Sequence, residues 1–363
     1  MRSMLGVLAR IPLYFGFRQV GWPRMLPINL TLSPSPRCNS RCLTCNIWMK
    51  RETELRLDEW DRILSSVGMA PYWITVSGGE PFLFEGVVDL CEIAYRRCRP
   101  GIINIPTNGL LFNRIPEAAR QIARRCPGSQ LIINLSLDGV GQEHDRIRGV
   151  PGNFVKSENC LAELLALRKE TPNLAVGIHT VVSVFNIDRL DQVAEYALAS
   201  GADQFITEIA EPRVELDTVG LPITPDRESY DRAIDRLTAR IAQRDFQGVA
   251  RITEAFRIEY YRLVKRVLQE QRQVIPCYAG WASAQIYADG TVWPCCVRAD
   301  NLGNLREVEY DFRKIWFADQ ARRARRSIGS RECYCPLANA SYTNMLHHIP
   351  TASRVGMRVL FAR

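Results

Sequence analysis

Residues 28–45 read Ile28-Asn-Leu-Thr-Leu-Ser-Pro-Ser-Pro-Arg-Cys38-Asn-Ser-Arg-Cys42-Leu-Thr-Cys45. A β-rich run, Ile28–Ser33, is followed at once by three thiols in C-x3-C-x2-C spacing. Soft sulfur ligands select iron–sulfur clusters or zinc. A [4Fe–4S] cubane held by three cysteines keeps one iron open, so it is a reaction site and not a sealed electron store. Zinc favours four ligands in paired spacings, and no fourth ligand lies near in sequence.

Working outward, β-rich runs at Trp73–Ser77, Ile102–Thr107, Leu131–Leu137, Ala175–Val184 and Gln204–Ile209 alternate with helical patterns. The helical patterns lie near Leu57–Val67, Val87–Cys98, Pro116–Cys126, Val155–Lys169 and Ile187–Ala199. Repeated strand–helix alternation predicts parallel βαβ units, and six strands predict an α/β fold with a partial TIM-like (β/α)6 barrel. Such barrels keep their chemistry at the C-terminal ends of the strands, where the cysteine loop falls. A helix is expected from Thr224, with Pro225 at its first position, and another over Ile252–Val274.

The other strand ends carry polar motifs. Ser77-Gly78-Gly79-Glu80-Pro81 offers two glycines for close backbone approach and a carboxylate beside them. Thr107-Asn108-Gly109 follows the third strand and reads equally as a plain turn. Ser136 and Asp138 alternate onto one side of the fourth. On the fifth, Thr180, Ser183 and Asn186 are candidates for a cofactor pocket, and His179 reads as a packed histidine. Glu208 on the sixth is a candidate proton-handling group, with a surface carboxylate as the plainer reading.

The chain holds 12 cysteines. Cys277, Cys295, Cys296, Cys333 and Cys335 form a second group around a hairpin turn at Asp289–Gly290. They predict a small metal-stapled module, for which four thiolates suit a closed [4Fe–4S] cluster or, on ligand type alone, a zinc knuckle. Cys91, Cys98, Cys126 and Cys160 sit in helical stretches and read as small buried hydrophobes. The 363 residues carry a net charge of +8, with +4 in residues 1–26, +7 in residues 311–363 and −3 between. Such basic ends suit a solvated surface, peripheral membrane contact or an anionic substrate. No aromatic-interleaved basic motif points to nucleic acid. Arg10 breaks the apolar run at the N-terminus and no small-residue cleavage site follows, so a cytoplasmic chain is expected, with the inner membrane face as the peripheral alternative.

Taken together, the cysteine loop after strand one, the GGE motif and the SLDG with His144-Asp145-Arg146-Ile147-Arg148 resemble the radical S-adenosylmethionine (SAM) superfamily, in its peptide-modifying and sulfatase-maturing branch. The resemblance implies that Cys38, Cys42 and Cys45 hold the cluster whose open iron chelates SAM. It implies that Gly78, Gly79 and Glu80 meet the SAM amino group, that Ser136 and Asp138 meet its ribose or carboxylate, and that Arg148 pairs with its carboxylate. Asn108, Thr180 and Ser183 complete the expected cofactor pocket. Thr44 replaces the aromatic residue common before the third cysteine, which moves adenine stacking to Ile47 or Trp48. The run from Cys277 through Gly290 to Cys295 resembles a SPASM or twitch module, implying an auxiliary [4Fe–4S] cluster on Cys277, Cys295, Cys333 and Cys335. The Cys333–Cys335 spacing is tighter than the usual C-x2-C, and only the glycine spacing favours Cys295 over Cys296.

The expected organisation is a basic apolar extension (1–26), the barrel (27–215), a helical connector (216–275), the cluster module (276–340) and a basic tail (341–363). The expected activity is SAM cleavage and hydrogen abstraction by a 5′-deoxyadenosyl radical, with an electron donor such as flavodoxin or ferredoxin. The auxiliary cluster favours a net oxidation. The short extension and basic ends point to a lipid-linked, sugar or other anionic metabolite as substrate. A peptide- or protein-modifying maturase and a non-catalytic metal-binding scaffold are the alternatives.

Overall fold

The computed structural model describes residues 4–243 and 248–361. The first three residues of the extension, four residues of the connector and the last two of the tail lie outside them. Two helices, α1 (Met4–Leu8) and α2 (Ile11–Val20), precede β1 (Asn29–Ser35). The barrel then runs α3 (Leu57–Val67), β2 (Trp73–Gly78), α4 (Val87–Cys98), β3 (Ile102–Thr107), α5 (Ile115–Arg125) and β4 (Gln130–Ser136). It continues with α6 (Gln142–Arg148), α7 (Asn153–Arg168), β5 (Leu174–Val182), α8 (Leu190–Ala199) and β6 (Gln204–Ile209). Beyond it lie α9 (Arg227–Ala242), α10 (Gly248–Glu270), β7 (Ser283–Ile286), β8 (Val292–Trp293), α11 (Phe312–Trp316) and α12 (Asp319–Gly329). The last two helices are α13 (Ala338–Leu346) and α14 (Ile349–Phe361).

Strands β1 to β6 pair in sequence order, all parallel, as the partial barrel requires. Each strand presents apolar residues to the helices and smaller or polar ones to the lumen. On β3 and β4, Ile103, Ile105, Ile133 and Leu135 are buried under the helices. Asn104, Asn134 and Gln204 meet within the lumen, where Asn134 donates to Asn104 at 2.7 Å and Gln204 donates to Asn134 at 3.1 Å. A parallel strand covered on both faces would read as a continuous apolar run. Here the polar lumen produces the alternation.

Three features depart from the sequence reading. First, the module is not a separate body. Its strand β7 pairs parallel with β1 and extends the barrel sheet to eight strands in the order β6-β5-β4-β3-β2-β1-β7-β8. The expected hairpin joins β7 to β8 through Gly290 at φ +93. Arg306, just beyond it, is clamped to the buried carboxylate of Glu59 on α3 at 2.9 Å. Second, the helix expected from Thr224 starts later, because the Asp226 carboxylate accepts from the Ser229 N–H at 2.9 Å and so caps α9. Third, the basic tail is helical. Within α13, Asn339 donates to Thr31 at 2.9 Å and accepts from Asn29 at 2.6 Å, so this helix covers the lumen face of β1. Among the described residues, no helix is long and apolar enough to cross a membrane.

Candidate functional site

The cysteine loop is held by close backbone approach at two glycines. At Gly79, on the end of β2, an added Cβ would lie 2.1 Å from the Arg37 carbonyl oxygen. At Gly149, after α6, φ is +66 and a Cβ would lie 2.4 Å from the Arg41 carbonyl oxygen. No side chain fits either place. Hydrogen bonds complete the grip. Glu80 N–H donates to Arg37 at 2.8 Å, and the Arg41 and Leu43 N–H groups donate to Arg148 and Ile147 carbonyls at 2.9 Å. The glycines of the GGE motif therefore approach the backbone of the cysteine loop, which is how this motif sets the positions of the thiols.

The loop opens on a cavity of about 210 Å³ at the C-terminal ends of the strands. Cys38, Cys42 and Cys45 line it together with Gly78, Gly79, Glu80, Asn108, Ser136, Asp138 and Arg148. Burial is the largest influence on two of the thiols. It pushes Cys38 up to about 11 and Cys45 up to about 12, with the charge of neighbouring Cys42 adding to both. Such thiols ionise only beside strong positive charge, which a bound iron–sulfur cluster supplies. Arg148 Nη1 stands 3.5 Å from Cys42 Sγ, the only protein cation donating to this group among the described residues. The donor set thus fits a three-thiolate cluster.

Around the thiols the expected polar residues are firmly held. The Glu80 carboxylate accepts from Thr107 Oγ1 and Asn108 N–H at 2.8 Å and from Phe82 N–H at 3.3 Å. Burial outweighs these donors and holds Glu80 up at about 7. Asp138 accepts from Val181 N–H at 2.8 Å and lies 2.9 Å from Arg148 Nε. Burial alone would lower the Arg148 guanidinium, but Asp138 and the thiols raise it well above its usual value, so it stays charged. His144 is neutral. Its Nδ1 accepts from Asp138 N–H at 3.2 Å, its Nε2 faces Asn153 Oδ1 at 2.5 Å, and burial depresses it to about 4.

Some expected contacts do not form. Thr180 points to the helix side of β5 and donates to the Leu137 carbonyl, while His179 and Val181 face the cavity in its place. Ser183 is buried and its N–H donates to Asn186 Oδ1 at 2.8 Å, away from the cavity. Strand alternation explains Thr180, whereas Ser183 lies beyond the end of β5 and is engaged by Asn186. Ile47 lines the cavity, whereas the Trp48 ring lies 4.2 Å beneath the Arg41 guanidinium.

The wall formed by β6 and the segment after it is the part the motifs did not reveal. Glu208 is no surface carboxylate. It is mostly buried, 3.3 Å from Arg213 and 3.9 Å from His179. Although burial opposes ionisation, the Arg213 guanidinium holds Glu208 below the usual carboxylate range. Glu211 shares the same Arg213 nitrogen at 3.3 Å, and burial lifts it to about 7. Glu215 accepts from Ser33 Oγ on β1 and from Gln285 on β7. The alternating Glu211-x-Arg213-x-Glu215 directly after the sixth strand was the available signal.

The second thiol group sits in different surroundings. Cys277, Cys295 and Cys333 pack against an apolar cluster built from α1, α2 and the module, including Tyr14, Phe17, Tyr278 and Trp281. Burial pushes Cys295 up to about 12, and the charges of Cys277 and Cys333 add to it. Cys335 feels Cys295 and Cys277 in the same way. Cys296 is buried with Leu337 and Ala340, against which Cys295 and Cys335 also pack, and it bonds to Glu215. Four half-buried thiols suit a closed cluster, and Cys295, which packs with Cys277 and Cys333, differs from the fully buried Cys296. The helical cysteines Cys91, Cys98, Cys126 and Cys160 are all buried in the main core.

A family profile described as the radical SAM superfamily matches residues 32–197, and one described as SPASM, an iron–sulfur cluster-binding domain, matches residues 277–336. The sporulation killing factor maturation protein SkfB of Bacillus subtilis is 27% identical over 49% of this chain and 41% of SkfB. The subtilosin biosynthesis protein AlbA of the same organism is 22% identical over 82% of this chain and 63% of AlbA. A probable GTP 3′,8-cyclase of Methanococcus maripaludis is 22% identical over 84% of this chain and 95% of that protein. The chain thus spans less than half of SkfB and under two thirds of AlbA. Streptococcus suis SuiB bound to S-adenosylmethionine shares the fold, with a TM-score of 0.59 at 17% identity over 81% of this chain and 66% of SuiB. The first domain type implies a [4Fe–4S] cluster with SAM, and the second implies auxiliary iron–sulfur binding. The chain therefore belongs to the radical SAM superfamily and carries a SPASM-type iron–sulfur cluster-binding domain after its barrel.

Proposed function

We propose that this chain is a peptide-modifying radical SAM enzyme. Cys38, Cys42 and Cys45 would hold the SAM-binding cluster, and Cys277, Cys295, Cys333 and Cys335 the auxiliary one. When bound, the first cluster supplies the electron that cleaves the SAM sulfonium and so provides a 5′-deoxyadenosyl radical for hydrogen abstraction. The observation that carries this reading is the convergence of three thiols, Glu80, Asp138 and Arg148 on one cavity at the strand ends.

The chain's own residues divide the remaining work. Glu80 and Asn108 brace the loop that carries Cys38, with Asn108 Nδ2 on Asn39 Oδ1 at 2.8 Å. Arg148, held in orientation by Asp138, presents a fixed cation beside Cys42, suited to a carboxylate. Glu208, Glu211 and Arg213 form the far wall. There, two carboxylates share one guanidinium.

The peptide reading replaces the lipid-linked or anionic metabolite favoured by the basic ends. SkfB and AlbA are named for the maturation or biosynthesis of a sporulation killing factor and a bacteriocin, and the SPASM match sides with them. Two assays test the proposal. Anaerobic reconstitution with SAM and dithionite should yield 5′-deoxyadenosine well above a Cys42→Ala control. A deuterated synthetic peptide pool should pass deuterium into that 5′-deoxyadenosine. Equal product from wild type and Cys42→Ala sinks the enzyme reading, and deuterium transfer from a small-anion pool alone sinks the peptide reading.

A further inference from the structure

The N-terminal helices have a partner inside the molecule. Tyr14 and Phe17 of α2 are buried in the same cluster as Tyr278, Trp281 and Ile328, against which Cys277, Cys295 and Cys333 pack. Between these apolar residues α2 places one charge. Arg18 Nε donates to the Cys277 carbonyl at 3.1 Å. Its guanidinium lies over Tyr278 at 5.4 Å and over Trp281 at 5.3 Å, which fixes the cation in position from two sides. A second arginine, Arg325 of α12, donates to the Gly280 carbonyl and so closes the other end of the same turn. On the other side Gln273 accepts from the Cys277 N–H at 3.2 Å and donates to the Cys333 carbonyl at 3.4 Å, and Arg298 bonds to the Cys333 thiol.

We infer that α2 is the outer wall of the second thiol site and that Arg18 raises the reduction potential of the cluster bound there. The inference rests on the reading of that site as an auxiliary iron–sulfur cluster. The physics is direct. A cluster's potential follows its net charge, its hydrogen bonds and its exposure to water. Arg18 Nε donates to the carbonyl of Cys277 itself, so the guanidinium is within electrostatic reach of that ligand. A fixed cation favours the more negative, reduced state of a nearby cluster. The apolar side chains of α2 keep out the water that would screen it. Arg18 is a positioning and tuning residue, since it touches the backbone of a ligand and not the substrate.

The test is EPR-monitored redox titration of reconstituted wild type, Arg18→Gln and Arg18→Lys. Iron content and 5′-deoxyadenosine formation are measured beside it. Wild type should hold about eight irons in two couples. Arg18→Gln should shift one couple downward and leave the other and SAM cleavage unchanged, with Arg18→Lys close to wild type. Loss of about half the iron in Arg18→Gln, restored in Arg18→Lys with SAM cleavage intact, supports the same role by way of the wall. Two unshifted couples in Arg18→Gln overturn the inference while leaving the auxiliary cluster standing. A single couple with about four irons in wild type overturns the auxiliary-cluster reading itself, and the inference with it.

Discussion

The two thiol groups of this chain are built on opposite plans. Cys38, Cys42 and Cys45 stand on a loop pinned at Gly79 and Gly149, and they face a cavity lined by carboxylates and arginines. Cys277, Cys295, Cys333 and Cys335 belong to separate segments gathered between α2, β7–β8 and the run before α13, the first three against aromatic and aliphatic neighbours and Cys335 against Leu337 and Ala340. The first has three thiols and open space in front. The second has four and packed side chains around it. The difference teaches how one fold separates two tasks: an incomplete ligand set beside a cavity can bind a reactant, and a complete set in a packed shell can only exchange electrons or hold structure.

This contrast can be broken at the loop. Gly79→Ala forces a Cβ to 2.1 Å from a backbone oxygen, so the loop must move. We expect loss of the first cluster, about half the iron, with stability down by about 3 kcal/mol or more, read by iron assay and thermal melting. Retention of all iron would show that the loop does not depend on this contact. Arg148→Gln leaves buried Asp138 without its cation, at a cost of about 3–5 kcal/mol. It should also weaken SAM binding, while the spectrum of the second cluster stays as it was.

A pH test addresses the supports of the first site. His144 is held neutral, from an ordinary 6.5 down to about 4. A histidine with a depressed folded pKa contributes stability that is full above 6.5 and is lost as pH falls toward 4. The span corresponds to about 3 kcal/mol. Thermal midpoints should fall across that window in wild type and fall less in His144→Gln. The smallest effect separates two neighbours in sequence. Cys295→Ala should remove the second cluster, whereas Cys296→Ala should keep both and cost about 1–2 kcal/mol for a lost buried contact.

Much of this was legible in the sequence. The six barrel strands follow from alternation, and besides Arg148 six of the eight other expected cofactor-pocket residues line the cavity because their motifs end strands. Thr180 and Ser183 failed for a local reason, since alternation on β5 sends Thr180 to the helix side and Asn186 engages Ser183. Glu211 and Arg213 were missed because they follow the sixth strand in a segment without regular structure, where a charged alternation reads equally as a solvated loop. The union of β7 with β1 was hidden because a four-residue strand carries too little pattern to name its neighbour. The N-terminal helices looked like a basic surface because their charges are visible in sequence and their buried face, Tyr14 and Phe17, becomes meaningful only beside Tyr278 and Trp281.

The most direct test of the open-versus-closed contrast is EPR of the reduced protein before and after SAM addition, in Cys42→Ala and in Cys277→Ala. We expect SAM to alter the remaining signal of Cys277→Ala, with 5′-deoxyadenosine still formed. In Cys42→Ala the remaining signal should not respond and no 5′-deoxyadenosine should appear. A SAM-responsive signal in Cys42→Ala would contradict the account, because it would place the open iron at the second site.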